Sequence, residues 1–130
     1  MQFSFSQHPN GLYQGLFLDS LKEGLGIFIW HSGQIYIGEW KNDKIEGIGL
    51  FIFNRSEYLH SYFKSGKSDK FGILRMLSND VFLGEWENGK LEKKFKYFKS
   101  KENKTFTFEE EKLIRGENGF PDKHSMCKNL

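Results

Sequence analysis

The 130-residue sequence predicts an all-β fold, an elongated single-layer antiparallel sheet of stacked β-hairpins. Three features carry that expectation: a 23-residue internal period, a two-residue alternation within each period, and an apolar content drawn from aromatics, Leu and Ile. The chain has 14 Phe, a single Val (Val81) and no Ala, a composition that favours strands over helices. Its length fits one domain with one modest core.

The period is read by stepping from Tyr13 to Tyr36, Leu59 and Phe82 (36 − 13, 59 − 36 and 82 − 59 are each 23). Two residues later the same step joins Gly15, Gly38, Ser61 and Gly84, and two further on Phe17, Trp40, Phe63 and Trp86. It holds again for Gly24, Gly47, Lys70 and Lys93, and for Gly26, Gly49, Gly72 and Phe95. A fixed period of this length marks a repeat architecture. Inside a repeat, Tyr36, Gly38 and Trp40 alternate with Ile37 and Glu39, the period of a strand.

Taken in order, residues 1–12 read as a leading half repeat: the strand Gln2–Ser6 is closed by Pro9, Asn10 and Gly11. Repeats then start at 13, 36, 59 and 82, each a hairpin, with polar turns expected over Lys41–Glu46, Lys64–Asp69 and Glu87–Glu92. Asn88-Gly89 is a strong hairpin dipeptide. Lys94–Phe98 and Thr105–Phe108 can pair as a last hairpin, which completes an array over residues 1–108. Residues 109–130 are expected to hold a short helix and a polar tail. Thr107 and Glu110 can form a capping box, Gly116 a stop, and Leu113 and Ile114 could cover the sheet end.

A glycine in mid-strand costs stability unless something needs the space. An aromatic ring from a neighbouring strand lying over bare backbone supplies that need. Tyr13, Tyr36, Trp40 and Trp86 are therefore expected to pack the repeats together over Gly24, Gly26, Gly47 and Gly49. With strands about 4.8 Å apart, each repeat advances the sheet by roughly 9.6 Å.

Parity places a second apolar set on the opposite face: Leu25, Ile27, Ile29, Ile48, Leu50, Ile52, Phe71 and Ile73, with Leu16, Ile37, Leu77 and Leu83. A single-layer antiparallel sheet usually leaves one face polar, and an apolar patch of this extent marks an interface. Either the termini fold back over this face, or a protein partner or a second copy of the chain covers it. Of this second set, Leu25, Ile27, Ile29, Ile48, Leu50, Ile52, Phe71 and Ile73 are the expected partner-binding surface.

Charge is nearly balanced, with 19 basic and 17 acidic residues and a net +2, so no overall excess would drive counterion release from nucleic acid. Locally, Lys44, Lys67 and Lys90 recur 23 apart along the loop edge. This edge could attract anionic lipid headgroups at about 1 kcal/mol per basic residue, or an acidic protein surface. The interleaved Glu39, Glu46, Asp69, Glu85, Glu87 and Glu92 leave open the plainer reading of solvated turns that discourage edge pairing.

Catalysis finds little support in the pattern. His8, His31, His60 and His124 lack metal-ligand spacing, and Cys127, the single cysteine, permits no internal disulfide. Glu39 and Glu85 are 46 residues apart (85 − 39), about 19 Å by the repeat rise, too far for paired carboxylate chemistry. The glycines recur in strands and never open a helix, so no phosphate loop is present. No metal, no cofactor and no enzymatic activity are expected. Lone-cysteine usage, and the lack of a secretory or membrane-spanning apolar run, point to a reducing, cytoplasmic setting.

The segments YIGEWKNDKIEGIGLFIF from Tyr36 and FLGEWENGK from Phe82, preceded by LYQGLF and EGLGIFIWHSG, resemble the MORN (membrane occupation and recognition nexus) repeat: Tyr-x-Gly-Glu-Trp, a short polar loop, then Gly-x-Gly and a strand. The resemblance covers about residues 11–98. The third copy departs from it at Leu59, Ser61 and Lys70, and the fourth at Lys93 and Phe95. It implies a scaffold: a structural or adaptor subunit that binds protein partners, as in cytoskeletal or ciliary axonemal assemblies where such repeats occur in radial-spoke components. The alternative it implies is a peripheral membrane protein that binds anionic phospholipid.

Overall fold

In the computed structural model, which describes residues 1–108, the chain forms one open sheet of ten antiparallel strands in sequence order. The strands are β1 (Gln2–His8), β2 (Gly11–Leu18), β3 (Leu21–Trp30), β4 (Ile35–Lys41), β5 (Lys44–Ile52), β6 (Tyr58–Lys64), β7 (Lys67–Arg75), β8 (Val81–Glu87), β9 (Lys90–Lys99) and β10 (Lys104–Phe108). A 3-10 turn, Ser100–Glu102, joins the last two. The short helix and tail expected over residues 109–130 lie outside the described residues.

Four hairpins, β2/β3, β4/β5, β6/β7 and β8/β9, share one turn geometry. Their central pairs, Asp19–Ser20, Asn42–Asp43, Ser65–Gly66 and Asn88–Gly89, all have positive φ at both residues, as the twist of a two-residue hairpin demands. Asn, Asp and Gly tolerate that left-handed backbone. The expected six-residue polar turns over Lys41–Glu46, Lys64–Asp69 and Glu87–Glu92 are thereby corrected. Only two residues turn, and the flanking lysines and glutamates belong to strands.

Each of these hairpins also carries one register shift, for example between Gly38 and Trp40 in the β4/β5 pairing, where Gly38 faces Gly49 but Trp40 faces Ile45. Pairing between repeats, as in β3/β4, β5/β6 and β7/β8, runs without a shift. The extra residues on β5 include Gly47, at φ +93, and the equivalent on β3 is Gly24, at φ +80. The third copy forces Lys70 into the same region, at φ +59. Gly24 and Gly47 are thus not spacers beneath an aromatic ring. Gly47 abuts the Glu39 side chain and Gly24 abuts Leu16 and Met1, and both are needed for a bulge that only a left-handed residue can make.

The inner face holds the core. Tyr13, Phe28, Trp30, Tyr36, Trp40, Ile45, Phe51, Phe53, Leu59, Phe63, Leu74, Phe82, Trp86 and Phe95 are buried and form one cluster. The Tyr13 ring lies directly over Gly26, and Tyr36 over Gly49, so closely that a Cβ at either glycine would run into the ring. Each phenol then donates to a backbone carbonyl of its own strand, Tyr13 to Leu16 O at 2.9 Å and Tyr36 to Glu39 O at 3.0 Å. Trp40 reaches back across the repeat boundary and donates from Nε1 to Gly26 O at 3.2 Å, rather than covering a glycine of its own hairpin. Edge-on ring contacts, Tyr13 to Trp40 at 5.4 Å and Tyr36 to Phe63 at 5.5 Å between centroids, carry the packing from one repeat to the next.

Candidate functional site

On the outer face, cross-strand pairing lines up apolar residues in rows. One row runs Phe5, Gln14, Ile27, Ile37, Leu50, His60, Ile73, Leu83 and Lys96. A second runs Leu12, Ile29, Ile35, Ile52, Tyr58, Arg75, Val81 and Phe98. Within the rows Ile27, Leu50, Ile52 and Ile73 are half-buried by their neighbours, while Ile29 and Ile37 are exposed.

Three of the most open apolar residues of this face follow the repeat itself. Leu25, Ile48 and Phe71 are 65%, 61% and 56% exposed, and they are 23 residues apart (48 − 25 and 71 − 48). Each immediately follows a left-handed bulge residue, Gly24, Gly47 or Lys70, and re-aiming a side chain is what a bulge does. Phe3, on β1, extends the series at 63% exposure. The three bulge residues therefore build a ridge with a pitch of roughly 9.6 Å, two strand spacings.

Glu39 sits between Leu25 and Ile48, Tyr62 between Ile48 and Phe71, and Glu85 on the strand beyond Phe71. Leu25 pairs with Glu39 and Phe71 with Glu85, and Glu39 Oε2 accepts the Ile48 backbone N–H at 2.6 Å. The ridge is thus an apolar line flanked by carboxylates on a rigid sheet.

The lysine edge is of mixed sign. Lys44, Lys67 and Lys90 are the first residues of β5, β7 and β9. Lys44 faces Lys41 and Lys67 faces Lys64, whereas Lys90 faces Glu87. Lys44 and Lys90 are exposed and Lys67 is half-buried. It lines a cavity of about 240 Å³ with Lys64, Ser65, Asp69, Glu87 and Asn88. Glu23 and Glu46 are occupied in structure, accepting the Asn42 and Ser65 backbone N–H groups, both at 3.0 Å.

Sequence reasoning missed Lys22. Its side chain is buried against the Tyr13, Phe28 and Trp40 rings, with the ammonium 5.5, 5.7 and 5.5 Å from their centroids. The signal was available, because Lys22, Ile45, Ser68 and Leu91 share one register position, and a position held by Ile and Leu in two copies is a core position. Among the described residues no group of three or more His, Cys, Asp or Glu could hold a metal ion, and no helix is long and apolar enough to cross a membrane.

An open sheet of stacked, bulged hairpins with aromatic rings laid over glycine defines the class as a β-hairpin repeat protein. Residues 13–35, 36–55 and 82–92 match the model of the MORN repeat, so these three segments are MORN repeats. Such repeats are known in scaffolds that bind proteins and membranes. No curated protein matches the chain. The third hairpin, β6/β7, falls between the matched segments yet keeps the fold, although Leu59, Ser61 and Lys70 replace the Tyr and Gly of its neighbours.

Proposed function

We propose that this protein is a non-enzymatic structural or adaptor subunit that docks a protein partner on its outer face. The observation that carries the reading is the ridge of Leu25, Ile48 and Phe71, three large apolar side chains held more than half exposed by bulges. Apolar residues presented at regular intervals on a rigid sheet are suited to binding, since exposed contiguous apolar surface is otherwise a liability. A partner with apolar groups at matching intervals and basic groups opposite Glu39 and Glu85 would complement it. A cytoplasmic cytoskeletal or ciliary axonemal complex, such as a radial spoke, is the setting we infer from the company such repeats keep.

Fractionation of the tagged protein from its native cell, with non-ionic detergent and then high salt, tests the reading. The wild-type chain should stay in the cytoskeletal pellet with defined partners, and Ile48→Glu, at an exposed position, should release it while the chain stays folded. Retention of the Ile48→Glu chain would sink the ridge as the docking surface.

The opposed pairs Lys41/Lys44 and Lys64/Lys67 favour a second reading, anionic-lipid binding through the hairpin tips. Release by detergent together with membrane markers, and loss of anionic-vesicle binding on reversal of Lys44, Lys67 and Lys90 to Glu, would replace the first reading with this one.

A further inference from the structure

We infer that the β1 edge is a receptor for an extended strand of another polypeptide, one with a bulky apolar residue followed two positions later by a small residue. Among the described residues, β1 stands at one end of the sheet order, paired with β2 alone. Edge strands are ordinarily blunted by charge, proline or a bulge. Gln2–His8 reads QFSFSQH, with no acidic residue, lysine or proline, and it pairs with β2 without a register shift. Phe3 and Phe5 project from its outer face at 63% and 65% exposure.

Cross-strand register states what the edge lacks. Ser4 faces Gly15 and Ser6 faces Tyr13, just as Gly26 faces Gly38 and Phe28 faces Tyr36 one repeat on. β1 is therefore the counterpart of β3, the second strand of a repeat. On its other side β3 has β2, which brings Tyr13 opposite Phe28 and Gly15 opposite Gly26. Tyr13 then fills the space beside Trp40. At β1 the matching space, beside Phe17, is a cavity of about 450 Å³ lined by Gln2 through Ser6, Phe17, Asp19 and Ser20. An incoming strand would place its bulky residue opposite Ser6, against Phe17, and its small residue opposite Ser4.

Ser4 also selects the bulky residue. It has a side chain where Gly26 and Gly49 have none, and a Cβ at those glycines would meet the tyrosine ring. In the fourth repeat, where Phe95 replaces that glycine, the covering residue is Phe82, which lacks the hydroxyl, at 6.1 Å between centroids. The strand that fits is accordingly Phe-x-Gly in type, main-chain hydrogen bonds supplying affinity and the Phe17 cavity supplying selectivity. Its outer-face residue would fall beside Phe5, in line with the outer apolar rows. This goes beyond docking on the ridge and stands or falls independently of it.

The probe is a dye-labelled peptide with the sequence of β8, Val81–Glu87, titrated into the full chain by fluorescence anisotropy, with hydrogen exchange read on the complex. Saturable binding is expected, with slowed exchange of β1 amides and unchanged β10 amides. Ser4→Trp, which fills the cavity from an exposed position, and a peptide with Ser in place of its Phe should each weaken binding at least about tenfold, a step of about 1.4 kcal/mol. Phe5→Lys serves as a second chain variant if Ser4→Trp disturbs the fold by circular dichroism. Affinity weaker than about 1 mM, binding indifferent to these changes, protection at β10 or on the ridge, or a chain already dimeric through β1 would overturn the inference.

Discussion

Lys22 and Asp43, which belong to successive repeats, are joined twice through one oxygen: the Lys22 backbone N–H donates to Asp43 Oδ1 at 2.9 Å and the ammonium lies 3.3 Å from the same atom. A third bond returns from the Asp43 N–H to Lys22 O at 3.0 Å. The tip of one hairpin is thus fixed to the strand of the hairpin before it. The same backbone bond recurs from Gly66 to Ile45 and from Gly89 to Ser68, so every later tip rests on its predecessor.

Asp43→Ala should destabilise the chain by about 1–3 kcal/mol, because it strips the partner from an ammonium set among aromatic rings. Burial alone would raise the Asp43 pKa, but the Lys22 N–H and ammonium outweigh it and hold the carboxyl below its usual range. A lowered folded pKa contributes stability that is present above the unfolded value, about 3.9, and is lost as pH falls through the folded one. Acid titrations of thermal stability should show this loss in the wild type and a shallower one in Asp43→Ala.

Trp40 and Trp86 occupy equivalent positions with different hydrogen bonding. Trp40 Nε1 reaches Gly26 O, whereas Trp86 Nε1 is buried without an acceptor. Trp40→Phe should therefore cost about 1 kcal/mol more than Trp86→Phe, the net worth of a hydrogen bond. Trp40→Ala should cost about 3–5 kcal/mol through the cavity it leaves. Denaturant midpoints of the three variants check both claims, and an unchanged midpoint for Trp40→Ala would refute the packing.

How far the sequence carried the fold is clearest at these positions. Two-residue parity and the 23-residue step separate Tyr36 and Trp40 from Ile37 and Ile48, because strand side chains alternate strictly between faces. The bulge escaped that reading: the extra residues between Ile45 and Gly49 preserve parity, so Gly47 looked like another bare spacer. Leu25, Ile48 and Phe71 consequently read as three of eight equivalent apolar residues, when the bulges raise them above Ile27, Leu50 and Ile73. Lys22 was hidden by its charge, which suggested solvent until its ring contacts and Asp43 were in view.

Asp69 interrupts a ladder. Glu23 and Glu46 each cap the turn of the following hairpin, and Asp69 holds the next position in that 23-residue series, one methylene shorter, beside the cavity it shares with Asn88. Asp69→Glu should reach the Asn88 N–H and stabilise the chain by about 0.5–1.5 kcal/mol. A rise in thermal midpoint with slower exchange of the Asn88 amide would demonstrate it, and a fall would show that the space tolerates no longer side chain.

At alkaline pH the phenols should govern unfolding. Burial, aided by the negative charge of Asp43, pushes Tyr13 up to about 12. Burial also raises Tyr36, with Glu39 adding to it. An unfolded phenol titrates near 10. A folded pKa above the unfolded one contributes stability that is complete below about 10 and is lost as pH rises through the folded value, about 12 for Tyr13. Thermal midpoints measured from neutral pH upward should fall across that window. Tyr13→Phe removes the hydroxyl, so it should start about 1 kcal/mol less stable through the lost bond to Leu16 and then decline less steeply. Parallel curves for the two proteins would mean that ionisation of Tyr13 does not contribute, and would leave Tyr36, beneath Phe63 and Trp40, as the phenol whose ionisation opens the sheet.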